Sequence, residues 1–332
     1  MSQTPNLDTP IPQPFYHFTN SSWHPATSPT TTTTTTTSTP LQTLRLTTWN
    51  IDFRVPYANQ RMTKALSYLS TLHDSSHTTP SVIFLQEMVW SDLLLIQQQP
   101  WIQERFYITD VSTGNWALGH EYGTTTLIDK RLDVRGVWRV RYSASRMGRD
   151  ALFVDIGISG FGDGDGRQTG PEDSILRLCN THLESLVSQP PRRPMQLRLA
   201  AQFMRGDGPS VPHAAILAGD LNAFAPEDLT APEECGLQDA FLVLGGQDGT
   251  EESYTWGQQL SEYERGRFGC SRMDKVLFCG GVEVQSLEKI GAGEKIWIEY
   301  PQESDSEESS ETGEDMWVTD HIGLQAVFRI VR

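Results

Sequence analysis

Short apolar runs and alternating segments follow one another along most of the chain, and they predict strands more often than helices. Alternation of apolar and polar residues is typical of a half-buried strand, and a short apolar run bounded by turn residues is typical of a fully buried one. Such segments begin at residues 41, 81, 123, 136, 150, 175, 213, 271, 282 and 321. The chain is therefore predicted to be rich in strands.

Three segments have apolar residues at helical spacing instead. Residues 60–72 ("QRMTKALSYLSTL") and 194–204 ("PMQLRLAAQFM") each predict one helix. In residues 91–106 Ser91 is expected to be the N-cap, whereas Pro100 must kink or split the helix. Because helices follow only some of the strands, the pattern indicates an α/β domain with two sheets and with helices outside them.

The composition divides the chain into two parts. Residues 1–40 are rich in Pro, Thr and Ser and end in the low-complexity tract "SPTTTTTTTTSTP", so we predict a disordered arm. Residues 41–332 are predicted to form one domain. Two insertions within it, the Gly/Asp-rich residues 160–173 and the acidic residues 301–315, are expected to be exposed loops.

The 332 residues carry a formal net charge of −16, with a pI near 4.9. This balance by itself argues against a nucleic-acid partner. Much of the negative charge lies in residues 301–315, however, while residues 134–149 contain five arginines and no acid. We therefore hypothesise that a set of arginines lines a path for substrate phosphates: Arg135, Arg139, Arg141, Arg146, Arg149, Arg192 and Arg193.

Cysteine usage and the N-terminus predict the cellular compartment. The four cysteines show neither metal-ligand spacing nor the density of a disulfide scaffold, so free thiols in a reducing compartment are expected. The first residues lack the basic and apolar regions of a secretory signal, and no apolar run has the length of a membrane span. We expect an intracellular monomer, in the nucleus or the cytoplasm, that is not secreted.

Candidate chemistry lies where the predicted strands end. Polar side chains occur there in several segments: Asn50 and Asp52, Glu87, Asn180 and His182, Asp220 and Asn222, Asp274, and Asp320 with His321. Each has an ordinary structural explanation, such as a turn cap, a solvated acid or a structural histidine. If the sheets pack together, however, these strand ends converge in one polar pocket, and separate structural explanations become less probable as a set.

Clustered carboxylates repel one another unless a cation lies between them, and oxygen ligands of this kind select Mg²⁺ or Mn²⁺. No Cys or His cluster in the sequence predicts a zinc site. A divalent ion beside an Asp, an Asn and two His suits hydrolysis of a phosphate ester. The ion neutralises a phosphate oxygen, one carboxylate prepares a water, and amide and imidazole donors stabilise the transition state.

The ordered motifs "TWNID", "LQE", "NTHLES", "GDLN", "RMDK" and "TDH" resemble the endonuclease/exonuclease/phosphatase superfamily. The resemblance runs from about Leu41 to the C-terminus. It implies a four-layer α/β sandwich, with two packed mixed β-sheets flanked by helices, and the activity of a metal-dependent phosphodiesterase. It also implies Glu87 as the principal Mg²⁺ ligand, with Asn50 beside it and Asp320 nearby.

The same resemblance implies roles for the other residues. Asp220 would orient or deprotonate the attacking water, and Asn222 would hold the phosphate. His321, oriented by Asp274, would stabilise the pentacovalent phosphorus, and His182 would contact the phosphate or help the leaving group depart. The substrate-binding residues expected around this centre are Ser185, Arg146, Arg149, Trp256 and Phe268.

Five segments, "TWNID", "THLES", "YTW", "SLEKIG" and "TDHIGL", resemble the tyrosyl-DNA phosphodiesterase branch. That branch removes tyrosine left on DNA 5′ ends by topoisomerase II, so a partly single-stranded DNA end and a role in DNA repair are implied. Arg54, Met273 and the continuation after "GDLN" differ from the branch.

These differences leave other activities of the superfamily open: an abasic-site endonuclease, an RNase, a lipid or inositol phosphatase, or a non-catalytic binding module. A lipid substrate would favour an exposed apolar loop or tail, and the sequence shows none. No membrane partner is therefore expected.

Overall fold

The computed structural model describes residues 6–26, 41–73, 78–117, 121–158, 174–208, 210–299 and 313–331. The strands in chain order are β1 (Pro10–Pro12), β2 (Phe15–Thr19), β3 (Ser22–Ala26), β4 (Thr43–Asn50), β5 (Ser81–Val89), β6 (Phe106–Ile108), β7 (Tyr122–Asp129), β8 (Asp133–Arg141), β9 (Asp150–Gly157), β10 (Ile175–Thr181), β11 (Ala214–Asp220), β12 (Gln238–Asp239), β13 (Asp274–Gly280), β14 (Val282–Ile290), β15 (Lys295–Glu299), β16 (Gly313–Trp317) and β17 (Gly323–Ile330). The helices are α1 (Ala58–Leu72), α2 (Trp90–Gln98), α3 (Pro100–Arg105), α4 (Arg193–Gln202), α5 (Pro226–Glu234), α6 (Ala240–Val243) and α7 (Glu262–Phe268).

The strands form two mixed sheets and one separate pair. The first sheet has the order β1-β8-β9-β10-β11-β13-β12, and the second has the order β14-β17-β4-β5-β7-β6-β2-β3, while β15 pairs with β16. At the centre of each sheet lies a parallel pair, β10–β11 in the first and β4–β5 in the second. Antiparallel neighbours flank both parallel pairs.

Alternation along the strands divides the apolar core into layers. In β11, Ile216 faces the other sheet and Leu217 faces outward, and in β5 Phe84 faces inward and Leu85 outward. Helices α1, α2 and α3 cover the outer face of the second sheet, and α4 and α5 cover that of the first. The predicted four-layer α/β sandwich is therefore confirmed.

The predicted elements differ from the structure at one helix start. The ten predicted strands all occur, and Pro100 splits the predicted helix, because α2 ends at Gln98 and α3 begins at Pro100. The prediction that Ser91 is the N-cap is wrong, since α2 begins at Trp90 and its N-cap is Val89. Asp92 supplies the capping interaction by accepting a hydrogen bond from the Val89 N–H at 2.9 Å.

The prediction of a disordered arm over residues 1–40 is wrong for residues 6–26. Strand β1 pairs with β8 at the edge of the first sheet, and β2 pairs with both β3 and β6 at the edge of the second. Phe15 belongs to the core between the sheets. The prediction rested on the average composition of residues 1–40, which the low-complexity tract dominates. It therefore overlooked "FYHFT", whose aromatic residues favour a strand.

The two insertions lie largely outside the described residues, namely 159–173 and 300–312, as do residues 27–40. Glu314 and Asp315, at the end of the acidic run, belong to strand β16 rather than to a loop. All four cysteines are free thiols, as predicted. None of the described helices has the length and apolar character that crossing a bilayer requires.

Candidate active site

Polar side chains from both sheets meet at one end of the sandwich. Asn50 is the last residue of β4, and Asp220 is the last residue of β11, opposite Asp274 at the start of β13. Although β4 and β11 belong to different sheets, Asn50 Nδ2 donates a hydrogen bond to Asp220 Oδ2 at 2.9 Å. The two sheets are therefore joined at this end by residues that the sequence predicts to be catalytic.

Glu87 enters the site through an irregularity in β5. The register with β7 shifts between Leu85 and Met88, and Glu87 has a φ of 58°, in the left-handed region. A non-glycine residue in that region is uncommon and costs conformational energy. The Phe53 N–H donates to Glu87 Oε2 at 3.2 Å, which helps to hold the carboxylate in place.

Asn222 and Asp52 also have left-handed backbones, with φ values of 48° and 56°. Each directs its N–H to a side chain two residues earlier. The Asn222 N–H donates to Asp220 Oδ1 at 2.8 Å, and the Asp52 N–H donates to Asn50 Oδ1 at 2.9 Å. These short turns after β4 and β11 orient the Asp220 carboxylate and the Asn50 amide. The conformational energy of the left-handed backbone therefore serves to fix the geometry of the site.

The backbone conformation at residue 219, directly before Asp220, requires a glycine. Its φ is 150°, and a Cβ atom at this position would lie 1.8 Å from the Thr181 carbonyl oxygen. The close approach of β10 and β11 also lets the Leu183 N–H donate to the Asp220 carbonyl at 2.9 Å. A glycine is therefore needed for His182 and Asp220 to come together.

His182 is buried, and its hydrogen bonds define its tautomer. Arg149 donates to His182 Nδ1 at 2.7 Å, and because a guanidinium only donates, Nδ1 must be the accepting nitrogen. Burial and the charge of Arg149 lower the pKa of His182 to about 4. His182 is therefore neutral and protonated at Nε2, which lies 3.2 Å from Asp220 Oδ2 and 3.7 Å from Glu87 Oε1.

His321, unlike the neutral His182, is protonated on both ring nitrogens. Its Nδ1 lies 2.9 Å from Asp274 Oδ2, and its Nε2 lies 3.6 Å from Asp220 Oδ2 and 3.8 Å from Asp320 Oδ1. Burial alone would lower the pKa of His321, but these three carboxylates raise it well above its ordinary value. His321 is therefore an imidazolium that donates to Asp274 and presents its second N–H to the site.

Burial and neighbouring charge act differently on the two central carboxylates. Burial alone would raise the pKa of Asp220, but the charge of His321, the proximity of His182 and the Asn222 N–H hold it below its ordinary value. Glu87 lacks comparable compensation, and burial raises its pKa to about 7. Asp220 is thus a stable anion, whereas Glu87 would be stabilised as an anion by a bound cation.

Two groups of side chains are candidates to hold a metal ion. The ligand atoms of Asp220, Asp274 and His321 lie within 4.8 Å of one another. In that group His321 is protonated and hydrogen-bonded to Asp274, and an imidazolium cannot ligate a metal. The predicted group has Glu87 and Asp320 as carboxylate ligands and Asn50 as an amide ligand.

This predicted group fits a hard divalent cation better, because all its donors are oxygens. Asn50 Oδ1 accepts one hydrogen bond, from Asp52, and keeps a second lone pair for a cation. Asp320 is held in position by the Trp256 ring, whose Nε1 donates to Asp320 Oδ2 at 2.7 Å.

The structure brings most of the predicted substrate-binding residues to this centre. Ser185 Oγ accepts a hydrogen bond from Arg149 at 2.6 Å, and Trp256 contacts Asp320 as described. Arg146 donates its backbone N–H to Glu184 at 2.9 Å, and its side chain is exposed. Phe268 lies at the end of α7, 57 % exposed and against Arg267, and does not belong to the hydrogen-bonded cluster of the described residues.

Two aromatic residues of the site were missed in the sequence. The ring of Phe53 stacks on that of Tyr122, with centroids 4.1 Å apart and an interplanar angle of 17°. The Arg149 guanidinium lies 5.1 Å from the Tyr122 centroid. An aromatic residue at the start of a strand is ordinary, so Tyr122 gave no functional signal, whereas Phe53 directly follows "TWNID" and could have been noticed.

Asn180 has a structural position, although it lies near the end of a strand like the predicted catalytic residues. It accepts a hydrogen bond from Gln86 Nε2 at 2.8 Å and donates to the Thr125 carbonyl at 3.0 Å. Gln86 and Thr125 belong to the second sheet, whereas Asn180 belongs to the first. Asn180 therefore ties the two sheets together below the site.

The hypothesis that a set of arginines lines a phosphate path is wrong for Arg135, Arg139 and Arg193, because acids neutralise them. Arg139 is buried between Asp110 and Asp150, at 2.9 and 3.0 Å. The other two ion pairs join Arg193 to Asp228 at 2.9 Å and Arg135 to Asp133 at 2.6 Å. Arg141 donates to the carbonyls of Asn115 and Trp116. Arg149, another member of this set, donates to His182 in the candidate site.

Comparison with known families supports the class of protein that this geometry suggests. Residues 47–321 match the model of the Endonuclease/Exonuclease/phosphatase family. The chain belongs to this family, whose members are hydrolases that act on phosphoester bonds and use divalent metal ions. A comparison with curated protein sequences gives no match.

Among solved structures, the chain resembles tyrosyl-DNA phosphodiesterase 2 (TDP2) of two animals. The match to D. rerio TDP2 complexed with single-strand DNA product has 19% identity and a TM-score of 0.60, and covers 86% of this chain and 99% of the other. The match to truncated C. elegans TDP2 has 21% identity and a TM-score of 0.60, and it covers 87% of this chain and 99% of the other. A mannosyl-6-phosphatase of Bacteroides thetaiotaomicron matches at 14% identity and a TM-score of 0.54, covering 85% and 98%. These likenesses show a shared fold.

Proposed function

We propose that the protein is a Mg²⁺-dependent phosphodiesterase that hydrolyses the 5′-phosphotyrosyl bond left on DNA ends by topoisomerase II. The observation that carries this proposal is the aromatic surface formed by Phe53, Tyr122 and Arg149, next to the catalytic carboxylates. Arg149 also donates to His182, so an aromatic group at this surface would lie beside the phosphate-binding residues. A tyrosyl ester is a phosphodiester that carries an aromatic ring one atom from its phosphorus.

The reaction exchanges one oxygen on phosphorus for another. A water oxygen bonds to phosphorus, the bond from phosphorus to the tyrosine oxygen breaks, and a proton of the water ends on that oxygen. Asp220 is an anion, and its carboxylate is oriented by the Asn222 N–H, so it orients the attacking water and can accept its proton. The products are free tyrosine and a 5′-phosphate.

The two histidines supply hydrogen bonds from opposite protonation states. The His321 imidazolium presents its Nε2–H to a phosphate oxygen while Asp274 holds its Nδ1. The neutral His182 presents its own Nε2–H, because Arg149 occupies Nδ1. Donors that are fixed before the substrate arrives stabilise developing charge without reorganisation, which is the largest single contribution in many enzymes.

Glu87, Asn50 and Asp320 would hold the divalent ion, for which we propose Mg²⁺, with Mn²⁺ as a substitute. When bound, such an ion neutralises negative charge on the phosphate. The amide of Asn222 donates to the Leu183 carbonyl at 3.1 Å, which places this side chain between the two strand ends that carry His182 and Asp220. From there it contacts a phosphate oxygen. A DNA-end substrate implies a role in DNA repair and a nuclear location.

The experiment that tests this proposal measures tyrosine release from a 5′-phosphotyrosyl single-stranded oligonucleotide with and without Mg²⁺. Asp220→Asn should lower kcat by about 10²–10⁴-fold, because the water loses its acceptor. Asp133→Asn is the matched control, since Asp133 is exposed and paired with Arg135 on β8, and it should leave kcat unchanged.

Parallel assays with abasic duplex DNA, single-stranded RNA and a sugar 6-phosphate identify the substrate class if tyrosine is not released. Cleavage of one of these, lost in Asp220→Asn, would retain the hydrolytic centre and reject the phosphotyrosyl substrate. Equal activity of the wild type and Asp220→Asn on every substrate would reject the catalytic assignment itself.

A further inference from the structure

The loop that follows β10 carries exposed apolar side chains beside the site. Leu186 is 66 % exposed and Val187 is 73 % exposed, and both follow Ser185, which is hydrogen-bonded to Arg149. This exposed apolar pair was not identified from the sequence. "ESLVSQ" contains only two adjacent apolar residues, too short a run to indicate exposure by itself.

A second segment adds to this surface. Phe224 lies two residues after Asn222 and is 38 % exposed. Arg193 joins the segments, because its Nη1 donates to the Leu186 carbonyl at 3.2 Å and its guanidinium lies 4.1 Å from the Phe224 ring centroid. We call Leu186, Val187 and Phe224 the apolar rim.

The apolar rim is held in place by a buried ion pair. Arg193 and Asp228 are 2.9 Å apart, and their side chains are only 6 % and 4 % exposed. Asp228 also accepts hydrogen bonds from the N–H groups of Phe224 and Ala225. Both segments of the rim are thus fixed to one ion pair.

We propose that the apolar rim binds apolar side chains that flank the phosphotyrosine in the polypeptide attached to the DNA end. This inference rests on the proposed function. If the tyrosine ring lies against Tyr122 and Arg149, the contact from Arg149 to Ser185 leads directly to Leu186 and Val187. A polypeptide that continues from the tyrosine therefore passes over the rim.

The chemistry of the rim favours a polypeptide over the DNA strand. The backbone phosphates of DNA are bound by exposed cations, but the cation at the rim, Arg193, is buried and neutralised by Asp228. Leucine- and valine-lined surfaces gain most from burying other apolar side chains.

The test compares three substrates that share one oligonucleotide: tyrosine alone, a peptide with leucines beside the tyrosine, and a peptide with serines in the same places. The wild type should show a KM about tenfold lower for the leucine peptide than for tyrosine alone, the equivalent of burying about one apolar side chain. The serine peptide should behave like tyrosine alone.

Val187→Asp should abolish the advantage of the leucine peptide while leaving kcat/KM for tyrosine alone within about twofold. Val211→Asp is the matched control, because Val211 is also a valine and also 73 % exposed. It precedes β11, whose far end carries Asp220, and the seven residues of that strand separate it from the site by about 20 Å. Val211→Asp should therefore keep the full advantage.

The outcomes separate this inference from the function on which it rests. If tyrosine alone is cleaved but the leucine peptide has no advantage, the peptide-binding rim is rejected and the phosphotyrosyl substrate stands. If Val187→Asp raises KM equally for all three substrates, the rim holds the DNA strand instead, which also overturns the inference. If no phosphotyrosyl substrate is cleaved, both proposals fail.

Discussion

Two buried clusters of charged side chains lie in this sandwich, and they are built on different principles. In the first, Arg139 lies between Asp110 and Asp150 and also donates to the Thr124 carbonyl at 2.8 Å, so its charge is matched by neighbours. The second, the candidate active site, contains three acids around His321, and Asp274 Oδ1 has no hydrogen-bond partner among the described residues.

The difference shows how buried charge divides between stability and function. In a cluster whose charges are all paired, no group remains free to bind a ligand. Removing one member leaves its partner as a buried charge without an opposite charge beside it. A cluster with excess negative charge is less favourable for folding, but it can bind a cation and orient a phosphate. We therefore expect substitutions in the Arg139 cluster to change mainly the stability of the fold. Substitutions in the candidate active site should change mainly the binding of a metal ion and a phosphate.

The largest effect should follow from Arg139→Ala. The substitution leaves Asp110 and Asp150 buried without their partner, so the free energy of unfolding should fall by about 3–5 kcal/mol. Urea unfolding followed by circular dichroism measures this change. Arg135→Ala, which breaks the exposed pair with Asp133, is the control and should cost less than about 1 kcal/mol. Similar losses in both variants would show that the Arg139 cluster adds no more stability than a surface ion pair.

Glu87→Gln should affect metal binding more than folding. At a Mg²⁺ concentration 100-fold above the Kd, the wild type should gain about 2.7 kcal/mol of stability, and the variant should lose most of that gain. With EDTA the variant should be at least as stable as the wild type, because an amide needs no cation when buried. Thermal unfolding with EDTA and with Mg²⁺ measures both effects.

An unchanged Mg²⁺ effect in Glu87→Gln would instead favour the group formed by Asp220, Asp274 and His321 as the metal site. Asp274→Asn distinguishes the two possibilities. If Asp274 only orients His321, the variant should keep the stabilisation by Mg²⁺, whereas a ligand role predicts its loss.

The smallest effect concerns Asp92, a buried acid whose negative charge is only partly stabilised by the Val89 N–H and by Arg61. Burial raises the pKa of Asp92 to about 6 from an ordinary value of 3.8, so the folded protein binds this proton more tightly than the unfolded chain does. The stability that protonated Asp92 contributes is complete below pH 3.8 and is lost as the pH rises through 6. Asp92→Asn, which does not titrate, should therefore gain about 1–2 kcal/mol relative to the wild type between pH 4 and pH 7. Chemical unfolding at both pH values checks this, and an unchanged difference between the two proteins would contradict it.

The sequence could predict the candidate active-site cluster because its members carry a local signal. Asp220 and Asn50 each end an apolar strand on a polar side chain, and strand ends from packed sheets can meet. The prediction of a phosphate path failed for Arg139 and Arg193 because the acids that neutralise them are distant in sequence. Asp110 lies 29 residues from Arg139, and Asp228 lies 35 residues from Arg193.

The functional meaning of the aromatic and apolar surfaces also depends on the fold. Tyr122 is an ordinary strand residue until Phe53 stacks on it, and Val187 is an ordinary valine until its exposure beside the site is known. Burial and long-range pairing decide such cases, and a single sequence contains neither. The four-layer fold could be predicted because it follows from many strands and from an ordered set of motifs.

The N-terminal strands have a consequence for the order of folding. Strand β1 pairs with β8 through Pro10 and Val140, and β2 pairs with β6 through Tyr16 and Ile108. These strands are synthesised first, but their partners follow about 90 to 130 residues later, so both sheet edges must wait to be closed. Until then β1 and the free edge of β2 expose unpaired backbone groups, which makes the nascent chain vulnerable to aggregation at these strands. A shortened chain that begins at Leu41 would instead leave the edges of β8 and β6 permanently unpaired.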